Sequence, residues 1–261
     1  MSGAVCLVQG ASRGIGLGFC RALLARSPDT FVIATCRNPA AAPELRAVQD
    51  QNPDRVTVLP VDVMQTEQIQ EAAEIVKEKH GRLDLLINSA GMLHPSGRGE
   101  TSLKDVSAEG LEVTFKTNTI GPLLVAKHFA PLLVGGQGAF GEQAADSKNQ
   151  HAAVLVNMSA KVGSITDNAL GGWYSYRMSK AALNMATKNL SMELGRGRKK
   201  VICVSLHPGT VDTDLSRPYH KNVPNLFSVE DSVDSLMNVI DSLTVEDSGK
   251  FFTYDKTLMP F

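Results

Sequence analysis

The residues with the clearest chemical potential are Tyr176 and Lys180, four positions apart in the segment YRMSK. If this segment is helical, both side chains lie on one face and reach the same cleft. A free phenol has a pKa of about 10, and a neighbouring ammonium group favours its ionisation. Tyr176 could then donate a proton to a carbonyl oxygen, or accept one from an alcohol. A Tyr and a Lys at this spacing also occur often by chance, so the pair needs support from the rest of the chain.

A second feature is the glycine-rich segment QGASRGIG, in which Gly10, Gly14 and Gly16 follow a short apolar run. Glycines at a strand-to-helix turn let the backbone bend tightly and let a pyrophosphate approach the N–H groups of the helix. The same residues are common in ordinary turns, and their spacing differs from the broader dinucleotide fingerprint. The segment therefore predicts a nucleotide-binding turn, with a simple turn as the alternative.

Short apolar runs that are typical of β-strands alternate with longer amphipathic segments. The runs are 4–9, 30–36, 55–62, 83–88, 152–158, 200–206 and 249–254. Residues 66–81 are typical of a helix with one apolar face. The alternation predicts an α/β fold, a Rossmann-type doubly wound parallel sheet of about seven strands with helices on both faces. We find no proline-rich or serine-rich linker, so we predict a single domain over residues 1–261.

The composition argues against several classes of partner. Lys and Arg (26) nearly balance Asp and Glu (27), so the net charge of −1 creates no field that attracts nucleic acid. We see no run of about 20 apolar residues that could cross a membrane. The four cysteines are scattered singly and the histidines lack metal-ligand spacing, so we expect no disulfide framework and no metal site. A small-molecule substrate and a cytoplasmic location follow as expectations.

The order of several motifs resembles the classical short-chain dehydrogenase/reductase family. The glycine-rich segment at residues 9–16, called the glycine turn below, is followed by VDV (61–63), NSAG (88–91), NTIG (118–121), YRMSK (176–180) and HPGTVDT (207–213). The segment 165–188 and the Phe-Phe…Pro-aromatic C-terminal end are similar to the sniffer and C-factor-like carbonyl reductases. The resemblance covers nearly the whole chain and implies an NADP(H)-dependent carbonyl reductase.

The resemblance implies NADP(H) as the cofactor. Relatives that use NAD have an acidic residue at the end of the second strand, where this chain has Cys36 followed by Arg37. With Arg13 in the glycine turn, two guanidinium groups could bind the additional phosphate of NADP, although both could also be ordinary surface residues. The implied cofactor-binding residues are Gly10, Ser12, Arg13, Gly14, Ile15, Gly16, Arg37, Asn38, Asp62, Val63, Asn88, Ala90, Gly91, Tyr176, Lys180, Pro208, Gly209, Val211 and Thr213.

The family pattern also implies roles around the Tyr. Lys180 would bind the nicotinamide ribose, and Asn118 would hold a water molecule linked to that Lys. Asp62 and Val63 would flank the adenine, although Asp62 could instead be only a turn-forming residue. Asn118 could likewise be an ordinary buried polar residue of a helix.

The third catalytic element departs from the family. A strand there ends with Ser-Ser-x-x-Gly, and the second serine hydrogen-bonds the substrate oxygen. Here SAKVG places Ser159 at the first position and Ala160 at the second. Neighbouring strand residues point to opposite sides, so Ser159 could act as a catalytic residue only with a local twist or bulge. Ser164 is a further candidate, and the absence of any such donor is the remaining alternative.

These residues predict an enzyme that reduces an aldehyde, ketone, dicarbonyl or quinone with NADPH, with Tyr176 as proton donor. The alternative is a catalytically weak NADP(H)-binding sensor or scaffold, because Ala160 replaces the usual serine. We expect a flexible loop at 135–150 and a substrate-covering loop at 214–228. By family analogy, a homodimer or homotetramer would pair through the long helices around 110–134 and 173–195.

Overall fold

The computed structural model describes residues 3–146, 150–223 and 225–261. Within them, every predicted apolar run forms a strand, and the strand ends differ from the prediction by at most two residues. The strands are β1 (Val5–Gln9), β2 (Phe31–Cys36), β3 (Val56–Pro60), β4 (Leu85–Asn88), β5 (His151–Met158), β6 (Lys200–His207) and β7 (Phe251–Thr253).

The strands form one parallel sheet in the order β3-β2-β1-β4-β5-β6-β7. The chain builds outward from β1 to β3 and then returns to place β4 on the other side of β1, so the strand order reverses between β1 and β4. In open α/β sheets, the crevice at the carboxyl ends of the strands at such a reversal is where ligands bind. The predicted Rossmann-type doubly wound sheet is confirmed.

Helices cover both faces of the sheet. They are α1 (Gly14–Arg26), α2 (Pro43–Gln51), α3 (Thr66–His80), α4 (Ala108–Phe115), α5 (Gly121–Val134), α6 (Tyr174–Leu194) and α7 (Val229–Asp241). One face packs against α1, α2 and α7, with Phe19 and Leu236 in its core. The opposite face packs against α3, α5 and α6, with Phe129 and Leu190 in its core. Because strand side chains alternate between two apolar layers, the strands read as nearly continuous apolar runs.

Helix α3 shows how the local sequence sets an element. Its predicted apolar face is buried, and it consists of Ile69, Ala72, Ala73 and Val76. The helix ends at Gly81, whose φ of 69° lies in the left-handed region and whose N–H donates to Lys77 O at 2.9 Å. Glycine adopts this conformation at low cost, so the helix stops where the sequence predicts.

The two predicted loops are described only in part, because residues 147–149 and Pro224 lie outside the described residues. The described part of 135–150 that precedes β5 contains neither helix nor strand. Phe140 in this segment is buried, and the Arg26 guanidinium lies 5.0 Å above its ring. The segment is therefore anchored to the core, which its Gly-rich and Gln-rich composition did not indicate. In 214–228, residues Arg217–Asn222 form a short 3₁₀ helix.

All four cysteines are buried and unpaired. Burial raises the pKa of Cys20 and of Cys203 to about 12, so these thiols stay protonated and unreactive at neutral pH. In the described ranges we find no cluster of His, Cys, Asp and Glu side chains that could hold a metal ion. The helices of those ranges are too short or too polar to cross a membrane.

Candidate active site

The candidate site lies at the carboxyl ends of β1 and β4, where the strand order reverses. Gln9 of β1 pairs with Asn88 of β4, and the Gln9 side chain accepts a hydrogen bond from Ala90 N at 3.1 Å. Gly10 has a φ of 84°, and a Cβ atom there would lie 2.5 Å from Ala90 N. The loops that follow the two strands are so close that only glycine fits at position 10.

The glycine turn leads directly into α1. A Cβ atom on Gly16 would lie 2.2 Å from Gly10 O, so the turn is tight. The N-cap residue Arg13 makes no side-chain cap, and the first turn of α1 carries no acidic residue. The N–H groups at this helix end can therefore bind an anionic group, which the helix dipole also favours. Two further residues of the turn are partly buried, Ser12 and Ile15.

The two predicted phosphate-binding arginines follow adjacent strands. Arg13 Nη1 lies 3.1 Å from Asp214 Oδ2, with both side chains largely exposed. Such a surface ion pair contributes little to stability, so a stronger anionic partner can replace it. Arg37, directly after β2, is exposed. The neighbouring Asn38 caps a short turn by accepting a hydrogen bond from Ala40 N at 3.1 Å.

The predicted adenine contacts follow β3, and the predicted cofactor-binding residue Asn88 ends β4. Asp62 Oδ1 accepts a hydrogen bond from Met64 N at 3.0 Å, which is a turn-forming contact, and Val63 is buried. Asn88 donates through Nδ2 to Asn157 Oδ1 at 2.8 Å and so links β4 to β5. Across the described part of the chain, no group hydrogen-bonds the buried Oδ1 atom of Asn88. The Asn88 Oδ1 atom can therefore still accept a hydrogen bond at this site.

Asn118 connects three parts of the site. It is fully buried in a π-helical turn that joins α4 to α5, and such turns are frequent at functional sites. Its Oδ1 accepts from Met92 N at 2.9 Å, and its Nδ2 donates to Met92 O at 2.8 Å and to Ser179 Oγ at 3.0 Å. A Cβ atom on Gly91 would lie 3.6 Å from both Asn118 Oδ1 and Lys180 Nζ, so Gly91 lies between these two side chains.

Tyr176 and Lys180 share one face of α6 and are 8% and 4% exposed. Lys180 Nζ lies 5.7 Å from the centroid of the Tyr176 ring and donates to Met158 O at 2.7 Å. Burial raises the pKa of Tyr176 to about 12 and lowers the pKa of Lys180 to about 8. From the sequence we expected the ammonium group to favour the phenolate. In the structure, the loss of hydration outweighs that attraction.

The alanine at the usual serine position faces Tyr176. Ala160 packs with Leu93 and Tyr176 in a small buried apolar cluster. Ser159 points elsewhere, because its Oγ donates to Asn184 Oδ1 of α6 at 2.7 Å in a buried position. This internal hydrogen bond does not favour Ser159 as a catalytic residue, and its catalytic role stays a prediction from the sequence.

Ser164, the other serine candidate, is also buried. Its Oγ accepts a hydrogen bond from Asp167 N at 3.1 Å, which stabilises a local turn. Accepting this hydrogen bond leaves the Ser164 hydroxyl proton available, so of the three alternatives left open by the sequence these contacts count only against Ser159.

The segment after β6 curves back toward the glycine turn. Pro208 O accepts a hydrogen bond from Ser232 Oγ of α7 at 2.8 Å. Gly209 has a φ of 81°, and a Cβ atom there would lie 3.0 Å from the Phe227 ring. The chain is thus turned sharply at the Pro-Gly pair, as that sequence predicts.

Two residues beyond this turn lie at the site. Val211 is buried, and a Cβ atom on Gly14 would lie 3.3 Å from Thr213 Cγ2. Thr213 is therefore beside the start of α1, next to the N–H groups that could bind an anion.

Tyr176 is surrounded by aromatic and acidic side chains that the sequence motifs did not predict. The Trp173 ring lies edge-on to the Tyr176 ring, with centroids 6.2 Å apart, and it packs on Tyr219 at 4.7 Å. Glu100 hydrogen-bonds Ser175 across 75 residues of sequence. The sequence did carry one signal for this group, the Gly171-Gly172 pair before Trp173, because consecutive glycines indicate an unusual backbone conformation.

A parallel sheet with a glycine turn and a buried Tyr/Lys pair at its strand reversal defines a dinucleotide-binding class of α/β protein. The family profile described as short chain dehydrogenase matches residues 4–224, and the chain belongs to this family. The predicted family is therefore confirmed, and with it the prediction of an oxidoreductase.

Three relatives show how specific the likeness is. The NADPH-bound carbonyl reductase from chicken fatty liver is 34% identical over the full length of both chains, with a TM-score of 0.84. The carbonyl reductase Sniffer of D. melanogaster is 32% identical over the full length of both, with a TM-score of 0.86. C-signal of Myxococcus xanthus is 38% identical over 181 residues, which cover 69% of this chain and 94% of C-signal. The predicted similarity to the sniffer and C-factor-like proteins is confirmed.

Proposed function

We propose that this protein reduces a carbonyl compound (an aldehyde, ketone, dicarbonyl or quinone) with NADPH as hydride source. The observation that carries the proposal is the buried pair of Tyr176 and Lys180, beside Gly91 at the strand reversal. A phenol and an ammonium group held together there suit proton transfer to a carbonyl oxygen. The similarity to two carbonyl reductases supports the same reaction.

The residues at the site fit NADP(H). Gly10 and Gly16 leave room for a pyrophosphate against the uncapped start of α1. Arg13 and Arg37 suit the additional phosphate, and Arg37 stands directly after β2 where a carboxylate would repel it. The other proposed contacts are Ser12, Gly14, Ile15, Asn38, Asp62, Val63, Asn88, Ala90, Gly91, Tyr176, Lys180, Pro208, Gly209, Val211 and Thr213.

The cofactor supplies a hydride to the carbonyl carbon when it is bound. Tyr176 donates its phenolic proton to the carbonyl oxygen, which becomes the hydroxyl group of the alcohol. Its pKa of about 12 keeps this proton in place at neutral pH. The charge of Lys180 stabilises the phenolate that remains, and a proton from solvent then restores the phenol. Asn118 holds Met92 through two hydrogen bonds, so the loop after β4 stays against the site.

The proposed substrate cover is the segment 214–228. Pro224 of this segment lies outside the described residues. Tyr219 of the segment packs, together with Trp173, against the cluster that contains Ala160. These apolar side chains suit an uncharged carbonyl compound. With alanine at position 160, the hydroxyl of Tyr176 becomes the proposed hydrogen-bond donor to the substrate oxygen.

A screen of purified protein tests this function. NADPH and NADH oxidation would be followed over a panel of aldehydes, ketones, dicarbonyls and quinones, with Tyr176→Phe as the matched control. We expect turnover with NADPH, a preference over NADH of about tenfold or more from the arginine contacts, and loss of turnover in the control. NADPH binding without turnover of any panel member would refute the proposal that this protein is a carbonyl reductase.

A second candidate function, that of an NADP(H)-binding sensor or scaffold, is favoured by one observation, the alanine at position 160. Loss of such a donor typically costs about 10² to 10³ in rate. This alternative predicts NADPH binding and the same residual rate in the wild-type protein and in Tyr176→Phe. A clear difference between those two rates would exclude it.

We further propose a homodimer, or a homotetramer built from it, that pairs through α6. Met178, Met185 and Met192 repeat every seven residues along this helix, and they are 49%, 62% and 54% exposed. Such an apolar row suits a second copy of the chain. The four buried, unpaired thiols support a cytoplasmic location, where thiols are kept reduced.

A further inference from the structure

The helix that carries Tyr176 begins from an unusual backbone. Gly171, Gly172 and Trp173 have φ angles of 64°, 65° and 49°. The left-handed region is costly for a residue with a large side chain. Trp173 is also the N-cap residue of α6, but it makes no side-chain cap. A residue in such a conformation persists only where neighbouring contacts hold it, and such residues are frequent at functional sites.

Glu100 makes the contacts that hold this turn. Its backbone O accepts a hydrogen bond from Trp173 N at 2.6 Å. Its carboxylate Oε1 accepts from Ser175 N at 3.1 Å and also from the Ser175 hydroxyl. Glu100 is 3% exposed and Ser175 is fully buried. One buried carboxylate thus caps α6 at the residue immediately before Tyr176.

The charge state of Glu100 suits this role. Burial opposes its ionisation, but hydrogen bonds from Ser175 and the backbone, with the charge of His94, hold the pKa of Glu100 below its usual range. The positive end of the α6 dipole also favours a carboxylate there. Of the described residues, none hydrogen-bonds the Oε2 atom. A glutamine could therefore keep the acceptor oxygen and place its NH₂ group at the Oε2 position.

Trp173 connects the Glu100 contact to the candidate site. A Cβ atom on Gly99 would lie 2.5 Å from Trp173 Cδ1, so the chain before Glu100 presses against the indole ring. Gly99 N also donates to the Tyr219 hydroxyl at 3.0 Å. The indole ring is therefore held between this segment and the Tyr219 ring, and it makes a T-shaped contact with the Tyr176 ring.

We propose that Glu100 is a positioning residue, which fixes the direction in which Tyr176 enters the cleft by holding Trp173 and Ser175. The inference rests on the proposed role of Tyr176. A displacement of about 1 Å in a reacting group can cost about 10² in rate, so a small rotation of this turn is enough to matter. Lys180 is held separately by its bond to Met158 O. Cofactor binding therefore depends on Glu100 less than the chemical step does.

The test uses Trp173, the one tryptophan of the chain, whose fluorescence reports on this contact without any turnover. Glu100→Ala removes the cap, Glu100→Gln keeps the acceptor, and Glu78→Ala, an exposed carboxylate on α3, is the matched control. Acrylamide quenching of Trp173 emission, kcat and the NADPH dissociation constant are measured well below each Tm. For Glu100→Ala we expect quenching about twofold stronger, kcat about tenfold lower and NADPH affinity within about threefold. Glu78→Ala should stay close to the wild-type protein, and Glu100→Gln, which keeps the acceptor but loses the charge, should lie between the wild-type protein and Glu100→Ala.

Several results would overturn the proposal. Unchanged quenching and kcat in Glu100→Ala would do so, as would a loss of kcat with unchanged quenching. An equal loss of kcat in Glu100→Gln would also count against it, because the acceptor is retained there. If Glu100→Ala does not fold, Ser175→Ala removes one of the hydrogen bonds and is expected to change the same quantities to a smaller extent. Inactivity of the wild-type protein would defeat the proposed function, whereas unchanged quenching in an active protein defeats this inference alone.

Discussion

Ala160 is the residue that most limits the proposed chemistry. It packs against Tyr176, at the position where the family pattern described above implies a serine. The serine that precedes it is bonded to Asn184 on the α6 side of the sheet. In the proposed reaction, Tyr176 must therefore both hydrogen-bond the substrate oxygen and give it a proton, which suits a slow reductase or one for reactive carbonyl compounds.

Restoring the serine tests this interpretation. We expect Ala160→Ser to raise kcat with a reactive dicarbonyl by about tenfold to 10², because it adds a donor at the developing oxyanion. The matched control is Ser159→Ala, which should lower stability by about 1 kcal/mol through loss of the Asn184 bond and leave kcat nearly unchanged. Steady-state kinetics and thermal unfolding measure both. No gain in Ala160→Ser would mean that another side chain already supplies the donor.

The pH dependence follows from Lys180. Burial lowers its pKa to about 8, so its positive charge is present below that pH and is lost as the pH rises through it. Tyr176, with a pKa of about 12, keeps its proton over the same range. Because kcat/KM for NADPH reports groups of the free enzyme, we expect it to fall above pH 8 by up to about tenfold per pH unit. The unperturbed pKa of a lysine is about 10. A kcat/KM that stays constant up to pH 10 would therefore contradict the assignment of the lowered pKa to Lys180.

At the level of strands and helices, the sequence allowed most of the fold to be predicted. The inner strands β1, β4 and β5 are buried on both faces, and each is therefore a nearly continuous apolar run in the sequence. Helix α3 has a one-sided apolar pattern and a terminal glycine, and both are local signals. The glycine turn and the Tyr/Lys pair were found for the same reason, since each lies within one short segment.

Contacts between distant segments could not be predicted from one sequence. Glu100 and Ser175 meet across 75 residues, and no local pattern relates them. The direction of the Ser159 side chain depends on Asn184, another residue of a different element. The pKa of Tyr176 was expected to be lowered by Lys180, but burial, which depends on the whole packed site, raises it.

The π-helical turn at Asn118 gives a prediction for this element. Asn118→Ala removes three hydrogen bonds of a buried side chain, two to the partly buried Met92 and one to the buried Ser179. We expect a loss of about 2–4 kcal/mol in the free energy of unfolding, because these partners lose their hydrogen bonds and at least one of them is shielded from water. NADPH affinity should fall as well, since the loop after β4 is released. Asn238→Ala, at an exposed position of α7, is the control and should change neither. Chemical denaturation that gives Asn118→Ala wild-type stability would contradict this role.

For the molecule as a whole, the proposed pairing through α6 is open to a direct test. Met185 has the largest exposed fraction of the three methionines in the row, and a charge there would be costly to bury between two copies. We expect the wild-type protein to sediment as a dimer or tetramer and Met185→Glu to sediment as a smaller species with unchanged Tm at low concentration. A wild-type protein that is monomeric at micromolar concentration would refute the pairing.

The chemistry itself is tested most directly by following the hydride. NADPH that carries deuterium at the transferable position of the nicotinamide would be incubated with a dicarbonyl or quinone panel, and the products analysed by mass spectrometry and NMR. We expect an alcohol with one deuterium on the former carbonyl carbon from the wild-type protein, or the reduced hydroquinone with matching loss of label from the cofactor. Tyr176→Phe should still bind NADPH, because the other proposed contacts remain, and should form product about 10² or more times slower. Normal NADPH binding with no labelled product from any panel member, or equal rates in the two proteins, would contradict the role of Tyr176 as proton donor.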